Sequence, residues 1–221
     1  CHDPKISNVL EDADAAPEFS DFYRAMITKL LHARGRARYL AKNNYNITRL
    51  KFLAKEFPTA RFVVPVRDPI WHVASLMKQH ALFSNSDSRT RAYLRRAGHF
   101  EFGPDRRPIN VGDGLADEII SLWEQDKEVE GWSKYWASMN GYLRKTLDGD
   151  TDLADRVLIV RYEDLCQSPK DGLRQIFEHV DLGVAGEFIE RLAERLQAPR
   201  YYEPGFSEEE VLMIRELTHK V

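Results

Sequence analysis

Apolar positions change period several times along the chain. Between Ser20 and about His32, Phe22, Ile27, Leu30 and Leu31 recur at helical spacing behind a hydroxyl suited to capping. Residues 38–41 read as a short strand. Asn46 then offers a cap for a helix whose Ile47, Leu50, Phe52, Leu53 and Phe57 fall inward. The run Arg61-Phe62-Val63-Val64-Pro65-Val66 reads as a buried strand. It stops at Arg67-Asp68-Pro69, and a helical pattern follows with proline at its favoured first position.

Residues 84–114 break this rhythm with serines, asparagines, arginines and the string His99-Phe100-Glu101-Phe102-Gly103-Pro104. A stretch of this length is expected to be an insertion or lid. A long helix is predicted from about Ala116 to Leu147, with Trp123, Trp132 and Trp136 toward the core. Val157–Val160 is the next buried strand. Ser168-Pro169-x-Asp171 starts a helix with a hydroxyl cap, and Ser207-x-x-Glu210 is a capping box for the last one. Alternating strands and helices predict one α/β domain over residues 1–221, built on a parallel sheet with crossover helices.

The boundary at Arg67 carries the clearest chemistry. A permanently charged, planar fork stands at the carboxyl end of a strand, and Ser75 follows in the second turn of the next helix. Open α/β sheets bind ligands outside the carboxyl ends of their strands. A guanidinium beside a helix start suits a phosphate. From residue types alone, a solvated Arg67–Asp68 ion pair is an equal reading.

Composition narrows the classes. The 221 residues carry 43% hydrophobic and 11% aromatic side chains, as a folded domain requires. A net charge of -3 gives no reason to expect nucleic-acid binding, although basic residues cluster at Arg34-Gly35-Arg36-Ala37-Arg38, Arg95-Arg96 and Arg106-Arg107. Cys1 and Cys166 cannot make a disulfide scaffold, and no Cys/His spacing suits a metal. With no membrane-length apolar run and no signal-like start, the expectation is a cytoplasmic protein.

Three blocks together resemble a known family. Phe57-Pro58, the 61–66 strand, Arg67-Asp68-Pro69 and Ser75 are similar to the 3'-phosphate segment of sulfotransferases that use 3'-phosphoadenosine 5'-phosphosulfate (PAPS). Val157 to Leu165, ending Tyr162-Glu163-Asp164-Leu165, resembles that family's Tyr-Glu-Asp-Leu strand. Tyr39 to Asn44 resembles its strand ending in a lysine, here Lys42. The resemblance spans roughly residues 38–180, and its Lys-Asn pattern is closer to a bacterial-type branch.

The resemblance implies a three-layer α/β/α fold with a central parallel sheet of P-loop-hydrolase-like topology. It implies that Arg67 and Ser75 hold the 3'-phosphate, that Tyr162 lies near the adenine, and that Lys42 stands near the sulfonate and leaving phosphate. PAPS would be the co-substrate, no metal would be needed, and the acceptor would be a hydroxyl or amine on a small molecule, glycan or peptide.

Two departures qualify it. The family's glycine-containing 5'-phosphosulfate loop has no match in residues 1–37, so the expectation is that it lies upstream of Cys1, in a domain incomplete at its amino terminus. Where a cytosolic branch has histidine as acceptor base, this chain has Asn44, which takes no proton at neutral pH. The base is therefore open, with His72, His80, Glu11, Asp12 and Asp14 as candidates. A non-catalytic module binding an adenosine phosphate or a protein through a decayed site is the alternative. A nucleotide kinase would need Gly-x-x-x-x-Gly-Lys-Ser/Thr, which does not occur.

Overall fold

The computed structural model describes residues 5–11, 17–97, 101–103, 105–196, 204–219 and 221. The chain forms two compact units, residues 8–60 and residues 1–7 with 61–221. In the smaller unit, α1 (Pro17–Arg34) ends at Gly35, whose φ of 56° lets the Arg36 N–H turn back to the Leu31 carbonyl at 3.0 Å. A 3-10 turn (Asn44–Arg49) leads into α2 (Leu50–Glu56). Phe52 and Leu50 are buried here, and Phe19 lies 6.1 Å from Phe52 between ring centroids.

Two expectations for this unit are corrected. Residues 38–41 form no strand, and Leu40 is 93% exposed. A strand needs a neighbour for its backbone N–H and C=O groups, and among the described residues this segment has no ladder partner. The helix start also falls earlier than Asn46: the Asn43 side chain accepts from the Tyr45 N–H at 2.9 Å, and the first six residues adopt the tighter 3-10 form.

The larger unit is mixed α/β. Its sheet has two described strands, β1 (Phe62–Val66) and β2 (Val157–Arg161), paired in parallel from Phe62↔Val157 to Val66↔Arg161. His179 donates from Nε2 toward the Phe62 and Arg156 carbonyls, each at 3.1 Å, closing the strands' amino-terminal end. After β1 come α3 (Pro69–Ser84), α4 (Ser88–Ala97), α5 (Ala116–Glu124), α6 (Glu128–Asp148) and α7 (Thr151–Ala154). After β2 come α8 (Tyr162–Gln167), α9 (Pro169–His179), α10 (Gly186–Ala193) and α11 (Glu208–Thr218).

Helices α3, α5, α6 and α11 enclose the core of this unit, where Val73, Trp132 and Ile214 are fully buried. Trp132 lies 4.5 Å from Trp123 and 5.9 Å from Tyr135 between ring centroids. The stretch 84–114 contributes α4 and the buried Pro108, Ile109 and Val111; His99, Phe100 and Pro104 lie outside the described residues.

The single helix predicted over 116–147 is two helices. Asp126 takes a left-handed φ of 60°, and the Lys127 N–H turns back to the Leu122 carbonyl at 2.9 Å. α5 thus folds back on α6 and presses Trp123 against Gly131, where a Cβ would sit 2.6 Å from the indole. The capping box at Ser207 and Glu210 forms as predicted, whereas the Ser168 hydroxyl makes no cap bond to α9.

Gly131 therefore tests the α5–α6 fold. Gly131→Ala should lower stability by about 1–3 kcal/mol through overpacking, read as a lower urea midpoint at unchanged slope. Gly141→Ala, whose added carbon would meet only Val221 at 3.8 Å, should leave the midpoint unchanged or raise it.

Candidate functional site

The parallel register builds the site. Since Val66 pairs with Arg161, the next residues of the two chains, Arg67 and Tyr162, leave the sheet side by side. The Arg67 guanidinium lies over the Tyr162 ring at 5.4 Å, a cation–π distance. One residue on, the Asp68 N–H donates to Glu163 Oε1 at 3.1 Å. The other Glu163 oxygen is buried and makes no hydrogen bond with the described residues. Glu163 thus ties the turn after β1 to the end of β2.

Asp68 caps α3, its side chain accepting from the Ile70 N–H at 2.9 Å. That changes how an anion could be held. The first amide of the helix is taken up by the protein's own carboxylate, so attraction for a phosphate rests on Arg67 rather than on the helix start. Ser75, seven residues beyond the cap, is half-buried, and its hydroxyl makes no hydrogen bond with the described residues.

His72 lies three residues before Ser75 and shares its helix face. Its Nδ1 accepts from the Trp136 indole N–H of α6 at 3.1 Å. Burial, reinforced by the Arg67 charge, lowers its pKa to about 4. With its acceptor nitrogen occupied and its basicity so reduced, His72 is a poor proton acceptor. His72 and Trp136 are 64 residues apart, and no local pattern could have paired them.

His80, two turns further along α3, lies 6.4 Å from Trp132 of α6 between ring centroids. Its Nδ1 approaches the carbonyls of Phe102 at 3.3 Å and Gly103 at 3.2 Å, while Ser84 Oγ lies 3.2 Å from Nε2. This arrangement suits an Nδ1–H donor that fastens the 101–103 segment to α3. Burial, with Arg106 nearby, lowers its pKa.

Lys42 belongs to the smaller unit. It is exposed, and its Nζ donates to Asn44 Oδ1 at 3.0 Å. With Tyr39, Asn43, Asn46, Arg49 and Phe52 it lines a cleft of about 410 Å³. Of the acidic candidates, Glu11 pairs with Lys51 at 3.0 Å, and Asp12 and Asp14 lie outside the described residues. Among the described residues no group of three or more His, Cys, Asp or Glu is placed to hold a metal, and no helix is long and apolar enough to cross a membrane.

Open α/β sheets take ligands outside the carboxyl ends of their strands, which is where this basic and aromatic pair stands. Residues 3–102 match a family model described as the sulfotransferase family, a stretch that includes Lys42, Arg67, His72, Ser75 and His80 and ends before Tyr162. Two curated proteins, from Mycobacterium bovis and Mycobacterium tuberculosis, are both named omega-hydroxy-beta-dihydromenaquinone-9 sulfotransferase Stf3. Each is 25% identical to this chain over 198 residues, covering 87% of it. The chain spans 42% of the length of these relatives. No solved structure matches it. These findings bear out the resemblance to the sulfotransferase family.

The half-buried His72 gives the site a pH signature. Its folded pKa, about 4, lies below the ordinary 6.5, so the unfolded chain binds the extra proton first as pH falls. Its contribution is complete above pH ~6.5 and is lost as pH falls toward 4, on the order of 3 kcal/mol. His72→Gln should flatten that part of a pH–Tm profile, and an unchanged slope would refute the assignment.

Proposed function

We propose that this protein is a PAPS-dependent sulfotransferase whose 3'-phosphate site is formed by Arg67 and Ser75, with Tyr162 bordering the adenine. The observation that carries the reading is the placement of Arg67 over Tyr162 at the shared end of two parallel strands. Its support is chemical. Arg67 supplies a fork of donors, Ser75 a hydroxyl on the following helix, and Tyr162 an aromatic face, which together fit a phosphorylated adenosine. The 3'-phosphate would separate PAPS from ATP. The same reading takes β1 and β2 as part of a three-layer α/β/α sheet of P-loop-hydrolase-like topology; their parallel pairing, with a helix after each strand, supports it.

In the reaction an acceptor oxygen or nitrogen attacks the sulfur, the sulfur–oxygen bond to the 5'-phosphate breaks, and 3'-phosphoadenosine 5'-phosphate departs. The acceptor's proton passes to a base that neither histidine is well placed to be. Lys42 would offset the charge growing on the leaving phosphate. The relatives are named for an omega-hydroxy-beta-dihydromenaquinone-9, and a hydroxyl on a small molecule is accordingly the acceptor class we favour. We place the reaction in the cytoplasm.

Thermal denaturation with 3'-phosphoadenosine 5'-phosphate tests this. At a hundredfold excess over Kd the nucleotide should add about 2.7 kcal/mol and raise Tm. Arg67→Ala should abolish the shift and Ser75→Ala reduce it, while 5'-AMP should act weakly on all three proteins. Labelled sulfate should pass from PAPS to a hydroxyl acceptor. Binding without transfer would favour a non-catalytic module, and no shift at millimolar nucleotide would sink the proposal.

A further inference from the structure

The Trp136–His72 hydrogen bond fixes a tautomer. An indole N–H can only donate, so the nitrogen it meets, Nδ1 at 3.1 Å, carries no proton. A neutral imidazole then bears its hydrogen on Nε2. That N–H makes no hydrogen bond with any described residue. The ring stands one turn into α3, on the face it shares with Ser75, and close enough to Arg67 to feel its charge.

We propose that His72 is a ligand-binding residue and not a base: its Nε2–H, locked in place by Trp136, is a neutral third donor to the phosphate group held by Arg67 and Ser75. This rests on the 3'-phosphate reading above and assigns that site a residue the family resemblance does not supply. The division of labour is physically sensible. Arg67 brings the charge, and a second cation beside it would be repelled, whereas a neutral donor adds direction without that cost. Burial keeps the ring neutral at physiological pH. The charged group known to act on it is Arg67, and its contact from α6 is the uncharged Trp136, so donor capacity should not change between pH 6 and 8.

The test is calorimetric binding of 3'-phosphoadenosine 5'-phosphate and of 5'-AMP, which lacks the 3'-phosphate. His72→Phe should weaken the first about tenfold and leave the second unchanged. His72→Gln, whose amide can place an N–H near the Nε2 position, should recover binding to within about threefold. Trp136→Phe frees Nδ1 to take the proton and should weaken binding of the 3'-phosphorylated nucleotide alone. Nitrogen NMR of the native protein needs no variant: it should show the Nε2–H form of His72, with a shift moved by the 3'-phosphorylated nucleotide and not by 5'-AMP.

An Nδ1–H tautomer, equal losses for both nucleotides, or undiminished binding by His72→Phe would each overturn the assignment. If the native protein binds no 3'-phosphorylated nucleotide, the sulfotransferase reading falls and this inference with it. If it binds and the variants bind equally well, only this inference falls.

Discussion

The register between β1 and β2 is the constraint on which the larger unit's site depends. With Val66 opposite Arg161, the two chains leave the sheet in step. Arg67 meets Tyr162, and Asp68 meets Glu163, each pair separated by the same interval as the paired strand residues. A slip of one residue would turn every side chain to the opposite face and separate both pairs. The meeting of these charged and aromatic side chains follows from main-chain hydrogen bonds several residues away.

Around that register the site is supported from two further directions. Glu163 pins the turn through a backbone amide, so the orientation of Arg67 does not rely on its long side chain alone. Helix α6 reaches across with Trp136 and fixes the His72 ring. The α5–α6 fold that seats Trp123 and Trp132 packs against α3, so the core and the site share a wall. Preorganisation of this kind confines donors before a ligand arrives, which reduces the ordering needed on binding.

How much of this was legible in the sequence depended on distance along the chain. The strand at 62–66, the proline-led α3 and the Ser207–Glu210 capping box are local patterns, and they formed where read. The strand expected at 38–41 failed because a strand is defined by its neighbour, which no local run of side chains supplies. The break at Asp126 was hidden because the helical periodicity of 116–147 continues through it. The left-handed Asp126 and the packing of Trp123 on Gly131 distinguish one long helix from a hairpin. Arg67 and Tyr162 were each visible as strand-end residues, but their meeting, 95 residues apart, required the register.

His72 illustrates why residue type is a weak guide to role. A histidine beside a proposed group-transfer site invites assignment as the base, because its ordinary pKa lies near neutrality. Two features of its surroundings remove that property. Burial beside a guanidinium disfavours the imidazolium, and the Trp136 indole occupies the lone pair that a base would use. What the same surroundings leave intact is the N–H on the other nitrogen. The environment that disqualifies His72 from accepting a proton is therefore the one that equips it to donate a hydrogen bond. A wet, exposed histidine at the same position could interchange its tautomers and would lack that fixed direction.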